Sequence, residues 1–235
     1  MPTGSSPDSV RLLASIDDAG DVFMLAGSSI TIGHAAAGVA DLPLLADLDA
    51  LHARASLVES FHGGLSWVLT IEPGAAAPVV DGQPVEDPSR PIALVDGVEV
   101  VFGRGASFRV RRSDPSSASI MLELMHGAEV AGARRVLLMA FGEGGRVRVG
   151  PRRRRHIPVG GLACDIEIIL ERAGEQGPAH VLVRCEGGAR RTTSVGERTT
   201  EVMLDLPLEE RVDLALGAAP DRLPPFGIAL RPAGL

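Results

Sequence analysis

Apolar residues along this chain come in short runs, and Gly, Asp and Ser separate them. Residues 10–15 precede an acidic turn, Asp17-Asp18-Ala19-Gly20, and Val22-Phe23-Met24-Leu25 follows it. Gly27-Ser28-Ser29 leads into Ile30-Thr31-Ile32, and residues 66–71, 92–94, 98–102 and 107–111 continue the series. Runs this short, at roughly 8–12-residue spacing, predict an all-β sandwich. Pro73-Gly74-Ala75-Ala76-Ala77-Pro78 reads as a loop, because its Pro and Gly content breaks any strand ladder.

After a linker-like stretch at residues 112–117 the order of events repeats. Met121-Leu122-Glu123-Leu124 resembles the first run, and Val136-Leu137-Leu138-Met139 resembles residues 22–25. Val147-Arg148-Val149-Gly150 echoes Ile30-Thr31-Ile32-Gly33, and residues 211–217 echo residues 98–103 with nearly the same offset. Residues 165–170, 180–184 and 226–230 supply further strands. A repeated order at a constant offset argues for duplication, with domains at 1–114 and 115–235. Residues 120–126 and 130–139 are also rich in helix formers, but Gly127 and Gly132 each count against a helix by about 1 kcal/mol. The repeat favours strand, turn and strand.

Composition narrows the function. The 235 residues are 45% hydrophobic but only 3% aromatic, so the core is built from aliphatic side chains. Lys, Asn and Tyr are absent, and all 23 basic residues are Arg. A Walker-type phosphate loop and a Schiff-base enzyme both need residues this chain lacks. The net charge of −7 is uneven: residues 1–114 hold 15 acids against 7 Arg, and residues 115–235 hold 15 acids against 16 Arg. An acidic first half argues against nucleic acid, whose binding is driven by phosphate neutralisation. Two cysteines, Cys164 and Cys185, make no disulfide framework and read as buried, reduced thiols. No apolar run reaches the roughly 18–20 residues that cross a bilayer, and no signal-like segment opens the chain. The expectation is a cytoplasmic protein with no membrane partner.

One succession carries a resemblance: Ile30-Thr31-Ile32-Gly33, Asp41-Leu42-Pro43-Leu44, His52-Ala53, Trp67-Val68-Leu69, Val80-Asp81-Gly82 and residues 94–103. It resembles the forkhead-associated (FHA) domain, a β-sandwich that in its family reads phosphothreonine on partner proteins. The chain is then expected to be a pair of tandem β-sandwiches of FHA/SMAD-like type, the second copy divergent. Gly33, His52, Gly82 and Gly103 match structural positions of the family. The pocket positions do not match. His34 stands where the family has an Arg, Asp49 where it has Ser, Ala50 where it has Arg and Ala76 where it has Asn. Each charge-assisted hydrogen bond contributes about 1.5–3 kcal/mol, and micromolar binding amounts to about 8 kcal/mol. Losing three such contacts, and gaining a carboxylate, dismantles the phosphothreonine grip of the first copy. When protonated, His34 can donate to an anion.

In the second copy Gly150-Pro151 is followed by Arg152, Arg153, Arg154 and Arg155, where the family's phosphate Arg resides. Guanidinium groups suit bidentate anion recognition, so this run is either an anion-binding loop, a solvated charge run, or a contact to the acidic first half. Phe61-His62-Gly63-Gly64, Gly103-Arg104-Gly105, Gly142-Glu143-Gly144-Gly145 and Ser194-Val195-Gly196 read as turns. No His or Cys spacing suggests a metal, and no catalytic constellation assembles. The expected function is therefore a non-catalytic protein-interaction scaffold without cofactor, whose partner is another protein carrying phosphorylated Ser or Thr or an acidic surface. An enzyme of unrecognised type is the remaining alternative.

Overall fold

The computed structural model describes residues 9–60, 63–125, 128–160, 162–174, 177–191, 198–208, 210–216 and 226–233. Among these the regular secondary structure is nearly all strand. The first half forms β1 (Val10–Ile16), β2 (Gly20–Ala26), β3 (Ser29–His34), β4 (Leu42–Leu44), β5 (Ala53–Glu59), β6 (Leu65–Ile71), β7 (Val79–Val80), β8 (Gln83–Pro84), β9 (Ile92–Ala93), β10 (Glu99–Phe102) and β11 (Ala106–Arg111). The second half forms β12 (Ile120–Leu124), β13 (Arg135–Met139), β14 (Val147–Gly150), β15 (Ile157–Pro158), β16 (Ile166–Arg172), β17 (Ala179–Arg191), β18 (Thr199–Asp205), β19 (Val212–Leu216) and β20 (Phe226–Pro232). The fold is all-β with sandwich-like packing of sheets. The helical alternative for residues 120–139 is not adopted. Both segments pair as strands, Ile120 opposite Leu138 and Leu122 opposite Val136.

Strand order explains how the repeat is assembled. A small sheet runs β4-β3-β5-β6-β9, and a long one runs β15-β14-β16-β17-β19-β20-β1-β2-β13-β12-β11-β10-β7-β8, with β18 on β17. The two copies share the same local ladders: β3 is parallel to β4 and antiparallel to β5, as β14 is to β15 and β16. Each copy's closing strand, however, pairs with the other copy's opening hairpin. β11 pairs with β12, and β20 pairs with β1. The hairpins meet in the middle, where β2 and β13 run parallel, Leu25 opposite Leu138. The position between residues 114 and 115 lies in the β11–β12 connection, and three strand pairs bridge it.

The central strands have cores on both faces. Leu12, Ala14, Ile16, Val22 and Met24 point into a cluster built with β14, β16, β17, β19 and β20. Leu13, Phe23 and Leu25 point the other way, into a cluster with Ile32, Leu42, Trp67, Phe102 and Phe108. This double burial is why Val22-Phe23-Met24-Leu25 and Val136-Leu137-Leu138-Met139 read as unbroken apolar runs rather than alternating ones. Full burial of each large side chain contributes about 1.5–3 kcal/mol, so the exchanged hairpins hold a major share of both cores.

Several strands were not legible as apolar runs. β5 points Ala53 and Ala55 inward, and small residues give a weak strand signal. β17 is longer than residues 180–184; it continues through a register shift between Arg184 and Ala189 and passes from β16 to β19 as its partner within the long sheet. The linker-like stretch is anchored rather than loose. Asp114 accepts from Arg148 at 2.8 Å, Ser117 Oγ donates to the Arg146 carbonyl at 2.6 Å, and Trp67 Nε1 donates to the Ala118 carbonyl at 2.9 Å. No helix among the described residues is long and apolar enough to cross a membrane.

Candidate functional site

The loops after β3 and β14 carry most of the expected site residues, and strand register aligns them. Ile32 pairs with Leu42 and Ala53, and Val149 pairs with Ile157 and Ile166. Counting from those anchors, Gly33 matches Gly150, His34 matches Pro151, Asp41 matches His156 and His52 matches Asp165.

At the first apex, a Cβ on Gly33 would lie 2.0 Å from the Ala50 carbonyl oxygen, so only glycine lets the two backbones meet. The His34 amide donates to the Asp49 carbonyl at 2.9 Å. The His34 ring is spent locally: its Nδ1 accepts the Ala36 amide at 3.1 Å and caps the short turn Ala35–Ala37. His52 is buried, sits edge-on to Phe102 at 5.4 Å, and accepts the Asp49 amide at Nδ1. It braces the 45–52 loop. The Asp49 side chain lies 3.2 Å from that ring and remains 61% exposed. Ala50 is exposed, and Ala76 stands exposed in the β6–β7 connection. Gly82 lies in the tight β7–β8 turn with Asp81, and Gly103 in the turn after β10. Gly33, His34, Asp49, Ala50 and His52 are thus brought together, and their charge is negative.

The second apex replaces the alanine turn with the arginine run. Pro151 has no amide to continue the ladder, so β14 ends at Gly150. Arg152, Arg153 and Arg154 are exposed. Arg155 is not: it grips Asp165 with two hydrogen bonds, of 2.8 and 2.5 Å. That bond holds the Asp165 carboxyl below its usual range and raises Arg155. Gly150 nests against this pair, since a Cβ there would lie 2.2 Å from Asp165 Oδ1. Of the four arginines, three are therefore available to a partner.

Two buried acceptors were missed in the sequence. Asp41, fully buried, accepts the Thr31 amide and hydroxyl at 2.9 and 2.8 Å and pairs with Arg11 at 3.2 Å. His156, at the matching position, accepts the Arg148 amide at 3.0 Å through Nδ1. Burial pushes His156 down to about 4. Arg148 itself bridges Glu167 at 2.9 Å and Asp114 at 2.8 Å. Burial raises Asp114, but hydrogen bonds from Ser116 and the Arg148 charge outweigh it and leave the carboxyl below its usual range. The only cue to these residues was their offset from Gly33 and Gly150.

Two grooves adjoin the arginine run. The larger, about 830 Å³, brings Arg153 and Arg154 opposite Arg109, Arg111 and Arg112, with Asp81, Asp96 and Glu99 on its wall. Those three acids are already engaged. Asp81 accepts the Glu99 amide, Asp96 accepts the Arg112 amide, and Glu99 pairs with Arg109 at 3.0 Å. The Nε of Arg112 is buried and without a hydrogen-bond acceptor. The smaller groove, about 480 Å³, lies beside Arg155, Asp165, Arg184 and Cys185. Among the described residues no three His, Cys, Asp or Glu side chains gather as a metal site. His62 and residues 194–196 fall outside the described residues. No known protein family matches the chain, and no curated protein matches it.

Proposed function

We propose that this chain is a non-catalytic protein-interaction module of the FHA kind, acting in the cytoplasm, whose first apex has lost its phosphothreonine grip. The observation that carries this reading is the charge of that apex. An exposed Asp49 carboxylate and a His34 ring nitrogen already used as an acceptor face solvent where an anion grip needs guanidinium and hydroxyl donors. A unit charge of the same sign about 4 Å away costs about 4 kcal/mol near a protein surface. That offsets about half of a micromolar interaction.

A second reading is favoured by the larger groove. Arg153, Arg154, Arg111 and Arg112 line it, Glu99 on its wall is paired with Arg109, and Asp81 and Asp96 each accept a backbone amide. Guanidinium groups so placed suit a phosphorylated or acidic segment of a partner protein. Recognition then lies between the copies instead of at the first apex.

Immobilised full-length chain, challenged with paired phosphothreonine, glutamate-rich and unmodified peptide libraries, tests both readings. Exchange of Arg153 and Arg154 for Ala is expected to lower retention of the anionic peptides at least about tenfold, since each lost contact removes about 1.5–3 kcal/mol. His34→Ala and Asp49→Ala leave it unchanged. Phosphate-dependent retention that disappears with His34→Ala and survives the Arg153 and Arg154 replacements overturns the lost-grip reading. Retention indifferent to every one of these changes removes the groove.

A further inference from the structure

Residues remote in sequence put the chain's two thiols side by side. Cys185 lies on β17 opposite Ile166, the first residue of β16, and Cys164 lies two residues earlier, in the connection that enters that strand. Their sulfur atoms are 3.6 Å apart. Cys185 is buried in the core cluster, and Cys164 is half-buried against it. A disulfide needs about 2.05 Å between sulfurs. The gap closes by movement of the connection, which is not held in a ladder at Cys164, while the strand residue stays fixed.

We propose that Cys164 and Cys185 are a reversible redox pair, oxidised by a hydroperoxide to an intramolecular disulfide. The half-buried Cys164 meets the oxidant. Its thiolate attacks the peroxide, the O–O bond breaks, an alcohol or water leaves with the thiol proton, and Cys164 becomes a sulfenic acid. Cys185 sulfur then attacks the Cys164 sulfur, the S–O bond breaks, and a second water leaves. Two thiols lose two electrons in total, and one peroxide bond takes them up. A dithiol reductant reverses the sequence by exchange.

The division of roles follows from position. Burial, with the hydrogen bond to Cys164, pushes the Cys185 thiol up to about 11, so it is a poor first nucleophile at neutral pH but stands in contact with the sulfur it must resolve. Among the described residues no third His, Cys, Asp or Glu gathers with the two thiols. The crosslink would also fix Asp165, the next residue and the anchor of Arg155. The pair stands on its own geometry and does not depend on which partner the arginine groove binds.

Intact full-length chain is treated with tert-butyl hydroperoxide, alkylated under denaturing conditions, and mapped by mass spectrometry before and after dithiothreitol. The expected result is loss of both free thiols, a linked Cys164–Cys185 peptide in the monomer, recovery on reduction, and a thermal midpoint raised by several degrees in the oxidised form. Cys185→Ser or, should that variant fold poorly, Cys185→Ala leaves a Cys164 sulfenic acid that dimedone traps. Cys164→Ser leaves Cys185 unmodified while folded and reactive once denatured. Sulfinic acid at Cys164 with Cys185 still alkylatable, disulfide only between chains, or equal reactivity of the two thiols in the single variants overturns the proposal.

Discussion

The two parallel crossovers, β3 to β4 and β14 to β15, are the same backbone solution reached with opposite chemistry. In each, a strand amide is captured by a buried side chain just before the short returning strand: Thr31 by Asp41, and Arg148 by His156. In each, a glycine presses against the segment entering the next strand, Gly33 against a backbone carbonyl and Gly150 against the Asp165 carboxylate. Between these fixed points, one copy carries Ala35–Ala37 and the other four arginines. The difference teaches that the ladder constrains the anchors and leaves the intervening turn free to go from neutral to strongly basic. A second contrast reinforces it. The first copy separates β6 from β7 with the Pro73–Pro78 loop, whereas the second runs straight through as the bent β17.

The largest effect is expected from separating the copies. Residues 1–114 alone leave β1, β2 and β11 without their partners β20, β13 and β12, and expose the apolar faces of both hairpins. The fragment should lack a cooperative unfolding transition by circular dichroism, and an equimolar mixture with 115–235 should restore one. An autonomously folded, monomeric 1–114 would break the exchanged-hairpin description.

Next comes the buried acceptor pair. Asp41→Ala strands Arg11 and the Thr31 amide, at a cost of about 3–5 kcal/mol. His156→Ala leaves one amide and a small cavity, costing about 2–3 kcal/mol. Urea denaturation distinguishes them, and equal losses would erase the contrast between a charged and a neutral anchor.

The same pair predicts a pH response. His156 titrates near 4 when folded and near 6.5 when unfolded, so the unfolded chain takes up the proton first. Stability is full above about pH 6.5 and falls as pH drops toward 4, by about 3 kcal/mol in all. His156→Asn, which keeps an acceptor, should flatten the urea midpoint across that range. A wild-type midpoint already flat from pH 7 to 4.5 would show that this burial costs nothing.

The smallest contrast lies in the glycines. Gly33→Ala drives a methyl into a backbone carbonyl and should cost about 2–3 kcal/mol. Gly150→Ala meets the end of a side chain that can turn away, and should cost about 1 kcal/mol while releasing Arg155 from Asp165. Thermal denaturation of the two variants reads the difference directly.

Much of this fold was legible in the sequence, because strand placement is a local matter. Val22-Phe23-Met24-Leu25, Ile30-Thr31-Ile32 and their echoes at 136–139 and 147–149 all lie on strands. Pairing was less legible for a physical reason. β1 and β12 are similar apolar runs that both could pair with β11, and no local pattern tells which will be taken. β5 hid behind its alanines, and β17 runs on past residue 184, with Gly187 and Gly188 at its register shift. Of the candidate site, His34 and the arginine run follow strands that were read from sequence, whereas Asp49 and Ala50 precede β5, which was not. Asp165 was not singled out, since a carboxylate ten residues from Arg155 carries no signal until the strands bring it back.

Crossed hairpins tie the two halves into one folding unit. Each half lends its opening hairpin to the other, and the β11–β12 connection carries the chain across that exchange. Two identical subunits in a closed twofold arrangement would present the same apex twice. Here the halves differ in sequence, so one apex exposes a carboxylate and the other exposes arginines.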